Sequence, residues 1–238
     1  MKNFENRPLS KFTDEGRELV ENSENISDIV IEFINNTTYR TPENLAEYPY
    51  VGSGKNSIIY QVDQTAIKFS SKMTSNQIYS NMQKNKPENL INQMIYLNTL
   101  RNYLKEESDG TISIPNQYFA LKNKSGDYLK AEELMHDWIT ISEVASNHNL
   151  NDDDREIFSR TTKSLIIKKI GSTILRLGLN DSGINKNDNL HGGNILIPKS
   201  TIDLDNPKIC IIDQPSKGLK GRLSVSLIKK FGSIGLKI

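Results

Sequence analysis

The chain has 238 residues, 36% hydrophobic and 25% charged, which is enough to bury one sizeable core or two small lobes and too little for a multidomain machine. Thirty Lys and Arg against 29 Asp and Glu leave a formal charge of +1, so net charge gives no reason to expect nucleic acid or an anionic membrane as partner. The single cysteine, Cys210, lies in the apolar run Ile209-Cys210-Ile211-Ile212, which excludes a disulfide-stapled secreted fold and reads as a buried, inert thiol.

From the N-terminus, apolar spacing predicts two short helices, one around Thr13 to Glu21 and one around Ser27 to Asn35, the second with Ile29, Val30, Phe33 and Ile34 on one face. Residues 1–46 are read as an N-terminal helical extension. No apolar segment of the N-terminal stretch resembles a signal peptide, and no run approaches the roughly 18 apolar residues of a spanning helix. A cytoplasmic location is expected, or delivery into a host cell by a route that needs no such signal. Short strand-like runs follow at 50–54, 57–62 and 65–69, punctuated by Gly52 and Gly54. Pro87 opens a helix in which Leu90, Met94, Leu97, Leu100 and Leu104 recur at spacings of three and four. Strands are predicted at 112–121 and 127–134, then a long helix from the acidic start Asn151-Asp152-Asp153-Asp154 to about Gly178, and strands at 194–198 and 209–212.

Three pieces of this order carry chemistry. A glycine turn, Gly52-Ser53-Gly54 with Ser57 beyond it, lets backbone N–H groups approach phosphates, although a glycine pair between strands is more often only a tight turn. Lys68, at the end of Ala66-Ile67-Lys68 on the next strand, presents a positive charge to those phosphates. An amphipathic helix begins about twenty residues later. Here the sequence resembles the protein-kinase-like superfamily, from about Tyr50 to Asp213. Ala66-Ile67-Lys68 looks like the Val-Ala-Ile-Lys strand, and Ala131-Glu132-Glu133-Leu134 sits where that family has the hinge whose backbone receives adenine. Asn189-Leu190-His191-Gly192-Gly193-Asn194-Ile195-Leu196 looks like the catalytic loop in the form found in aminoglycoside phosphotransferases and some phage kinases, and is the most specific motif in the chain. Ile211-Ile212-Asp213 resembles the metal-binding segment.

The resemblance implies an α+β, two-lobed protein-kinase-like fold with a β-rich N-lobe at 47–135 and a short, reduced, mainly helical C-lobe at 136–238. It implies ATP and magnesium as cofactors, Asn194 and Asp213 as metal ligands, and Gly52, Ser53, Gly54, Ser57, Ala66, Lys68, Gln93, Glu132 and Leu134 around the nucleotide. Two departures bear on activity. The helix glutamate that pairs the strand lysine falls on Gln93, with Glu88 as a possible substitute, and the catalytic aspartate position holds Asn189, with Asp188 beside it. An amide orients a hydroxyl but takes no proton from it at neutral pH. The expected function is therefore an ATP-dependent phosphotransferase acting on protein hydroxyls, with a pseudokinase binding module or a transferase of AMP as alternatives. After Asp213 the last 25 residues carry six Lys and Arg and no acid, a basic tail that either closes the core of the C-lobe or docks on an acidic surface.

Overall fold

The computed structural model describes residues 11–35, 43–54, 57–70, 94, 97–102, 104–106, 108, 110–124, 127–143, 152–153, 156, 160–161, 164, 192–199 and 208–212. The chain is of the α+β class and divides into two compact units: residues 1–97 with 116–134, and residues 98–115 with 135–238.

In the first unit, β1 (Lys11–Phe12) leads into the helices α1 (Asp14–Asn22) and α2 (Glu24–Asn35). Thr13 caps α1, its hydroxyl accepting from the Gly16 N–H at 3.1 Å and donating to the Tyr118 carbonyl at 3.1 Å. Ser23 does the same for α2, accepting from the Ile26 N–H at 3.2 Å. A six-stranded sheet follows in the order β1-β6-β7-β4-β3-β2, every pairing antiparallel. Its remaining strands are β2 (Tyr50–Gly54), β3 (Ser57–Val62), β4 (Thr65–Ser70), β6 (Gln117–Lys122) and β7 (Tyr128–Glu133). The turn between β3 and β4 is two residues long, and Asp63 adopts φ 52° in it, a conformation Asp tolerates better than most side chains.

Strand alternation gives this sheet two different faces. On one, Ile67, Phe69, Leu129, Ala131, Phe119 and Leu121 join Ile26, Ile29, Val30, Phe33 and Ile34 of α2 in a single buried core. The rings of Phe33 and Phe69 meet edge to face at 5.7 Å. The helices at 14–35, read from sequence as part of an extension, thus pack on the sheet of the first unit, with Val20 and Leu45 in the same core. Gly16 marks the closest approach, since a Cβ there would collide with the backbone of Tyr118.

The second unit is helical at 98–102 and 104–106, with Leu100 and Leu104 buried as the stripe predicts. This helical stretch ends where Gly110 takes φ 74° and gives its N–H to the Lys105 carbonyl at 2.9 Å. Residues 98–115, assigned from sequence to the N-lobe, belong to this unit. Its sheet runs β5-β10-β9-β8, with β5 (Ile112–Ser113), β8 (Trp138–Thr140), β9 (Ile195–Pro198) and β10 (Ile209–Ile211). The single strand expected at 112–121 is split into β5 and β6 around Pro115, which lacks the N–H a ladder needs. Because β10 pairs parallel with β5 and antiparallel with β9, Cys210 lies at its centre, buried as expected. Of the long helix predicted from residue 151, positions 152, 153, 156, 160, 161 and 164 are helical and the others lie outside the described residues. Among the described residues no helix is long and apolar enough to cross a membrane.

Candidate functional site

The second face of the first sheet is polar, and its register brings the sequence-predicted residues together. Ile59 is the Cα partner of Gly52 and of Lys68, and Lys68 is the partner of Lys130. Gly52, Ile59, Lys68 and Lys130 therefore form a row across β2, β3, β4 and β7, with Lys68 two strands, about 10 Å, from the glycine. Ala66 lies one step along the same face, beside Glu132. Among the described residues a Cβ on Gly52 would meet nothing within 4 Å, so no packing contact among them accounts for the glycine. Gly54 and Ser57 pair at the tip of the same hairpin, next to Ser53 and Ile58.

Lys68 is held by a carboxylate. Its Nζ lies 2.5 Å from Oε1 of Glu132, whose other oxygen, Oε2, is 3.4 Å from Nζ of Lys130 and accepts from Nε2 of Gln117 at 3.2 Å. Glu132 is 5% exposed, and burial by itself pushes its pKa up. The charges of Lys68 and Lys130, with hydrogen bonds from Lys68 and Gln117, outweigh burial and bring it from 4.5 down to about 2. Glu132 is thus ionised throughout the physiological range. A buried charge with this many partners fixes the lysine's position, since moving it away would strand the carboxylate in a low-dielectric interior.

This is a role for Glu132 that sequence reasoning did not assign. Its backbone was expected to face adenine; residues 131–133 lie inside β7 beside β4, and Ala131 and Glu132 pair with β6 as well. The neighbouring Glu133 N–H donates to the Asn116 carbonyl at 2.8 Å, and the Leu134 N–H donates to the Gln64 carbonyl at 3.1 Å. Lys130 and Gln117 were missed as well. The available signal was the alternation Lys130-x-Glu132, which sets both side chains on one face of a strand. Gln93 and Glu88, the expected helix partners of Lys68, lie outside the described residues.

The second unit carries the other predicted elements. Gly192–Asn194 form a single 3-10 turn that delivers the chain into β9. The Asn194 carbonyl accepts the Ile212 N–H at 2.9 Å, which anchors the residue just before Asp213 beside Asn194. Ile195 and Ile211 are paired one step further along the same ladder. The antiparallel β9–β10 pair thereby brings together two stretches that are separate in sequence. Asp188, Asn189 and Asp213 themselves lie outside the described residues. Among the described residues no group of three or more His, Cys, Asp or Glu side chains is placed to hold a metal.

No protein-family model matches the chain, and no curated protein matches it. Among solved structures, "WaaP in complex with acyl carrier protein" is similar over 86% of this chain and 70% of that one, with a TM-score of 0.42 and 9% sequence identity.

Proposed function

We propose that the protein is a kinase-like phosphotransferase that uses ATP with magnesium and acts on a protein hydroxyl. The observation that carries this reading is the buried Lys68–Glu132 pair on the face of the sheet that also bears Gly52. A lysine held on the sheet face that also bears a glycine with open space above it is what a triphosphate needs: a fixed positive charge and a backbone without a side chain in the way. Glu132 does here the work that a helix glutamate does in the family the sequence resembles, so Gln93 is no obstacle to holding the lysine.

Asn194 and Asp213 would hold magnesium, both offering hard oxygen ligands. The Ile212–Asn194 hydrogen bond supports their proximity. The metal, when bound, would neutralise the charge that develops on the transferred phosphoryl group. Asp188 or Asn189 would position the acceptor hydroxyl. Asn189 in the aspartate position favours a second reading, a pseudokinase that binds nucleotide or partner without transfer.

Thermal denaturation with and without MgATP tests the proposal. A ligand that binds only the native state at a hundredfold excess over its Kd adds about 2.7 kcal/mol of stability. Lys68→Ala should lose most of that gain, and equal stabilisation of variant and parent would overturn the nucleotide site. Stabilisation without transfer of labelled γ-phosphate to any protein would favour the pseudokinase.

A further inference from the structure

We propose that Lys130 is a second phosphate-binding residue, and that the site takes the polyphosphate of its nucleotide between two lysines bridged by Glu132. This rests on the phosphotransferase reading, which assigns the phosphates to Lys68. Lys130 is the Cα partner of Lys68 on the adjacent strand, and the two ammonium groups converge on the two oxygens of one carboxylate, at 2.5 and 3.4 Å. Like charges placed directly opposite each other on neighbouring strands repel, and the sheet tolerates this pair because Glu132 lies between them. A lysine with no role at the site would run its flexible stem out to water. Lys130 instead keeps its head at a buried carboxylate, with the side chain only 17% exposed, close to the 13% of Lys68.

Lys68 and Lys130 lie opposite each other on adjacent strands, about 5 Å apart at the backbone, so different groups of one phosphate chain can each meet one ammonium. Each ammonium carries three N–H donors, so Lys68 and Lys130 can both meet an entering phosphate without leaving Glu132, whose Oε2 also accepts from Gln117. The predicted ligand class is a nucleoside triphosphate or another polyphosphate, and a monophosphate would gain little from the second lysine.

Isothermal titration of the full chain with MgATP, AMP and inorganic tripolyphosphate tests the assignment on the parent, Lys130→Met and Lys130→Arg. A lost charge-assisted contact should weaken MgATP and tripolyphosphate by about tenfold or more. AMP should be nearly unaffected, and Lys130→Arg should recover most of the loss. Equal MgATP affinity in the parent and Lys130→Met would overturn the role of Lys130 while leaving the phosphotransferase reading in place. Lys130-dependent binding of tripolyphosphate in a protein that ignores ATP would sustain the anion site and remove the reading. Binding of neither ligand by the parent would remove both. Should Lys130→Met fail to fold, acetic anhydride labelling of the parent gives the same answer. MgATP should protect both Lys68 and Lys130, and protection of Lys68 with undiminished labelling of Lys130 would overturn the proposal.

Discussion

Glu132→Gln keeps the size and shape of the side chain and removes the charge that Lys68 and Lys130 share. A carboxyl held at about 2 instead of 4.5 contributes about 3 kcal/mol to folding at neutral pH, at 1.36 kcal/mol for each pKa unit. That agrees with the 3–5 kcal/mol usually lost, roughly, when one partner of a buried ion pair is removed. For a chain of this length the loss corresponds to a fall in Tm of roughly 6–12 °C. The sign follows from a folded-state pKa below the ordinary value. The stabilisation is complete above about pH 4.5 and disappears as the pH falls from there towards 2. Urea denaturation followed by far-ultraviolet circular dichroism should therefore show parent and variant about 3 kcal/mol apart at pH 7, converging below pH 4.5. A gap that stays constant between pH 7 and pH 3, or a variant as stable as the parent at pH 7, would refute the charge-based account of this cluster.

Two glycines should respond oppositely to alanine. Gly16→Ala drives a Cβ into the Tyr118 backbone and should cost about 1–3 kcal/mol by forcing α1 off the sheet, seen as a lowered Tm. Gly52→Ala meets no atom within 4 Å and should leave Tm nearly unchanged while weakening MgATP binding measured by calorimetry. Asp188→Ala should cut phosphoryl transfer by about a hundredfold or more with nucleotide binding intact if Asp188 is the working carboxylate. A silent Asp188→Ala together with a strongly activating Asn189→Asp would instead identify a degenerate kinase. Asn194→Ala should raise the magnesium concentration needed for half-maximal transfer, and unchanged magnesium dependence would remove Asn194 from the metal site.

Local patterns carried much of the fold. Ile29, Val30, Phe33 and Ile34 announce the buried face of α2, and the hairpins around Asp63 and Gly54 fall where Gly and turn residues interrupt β-branched runs, because helical and strand periods are written within a few residues of one another. Two short strands, Lys11–Phe12 and Trp138–Thr140, escaped notice because neither is long enough to show a period. Each is fixed by a distant partner, the first by β6 and the second by β9. The break at Pro115 was likewise visible as a residue but not as a boundary between units. At the site, Lys68 and Gly52 were recognisable one by one, while their common row depends on two successive antiparallel registers. Glu132 is the clearest case. Its sequence neighbours suggested a backbone role, and only the pairing of β7 with both β4 and β6 set its side chain beneath Lys68 and beside Gln117. Which side chains share a face is a local property of each strand, but which strands lie side by side is decided by burying the opposite face under α2, and that burial is a property of the whole unit.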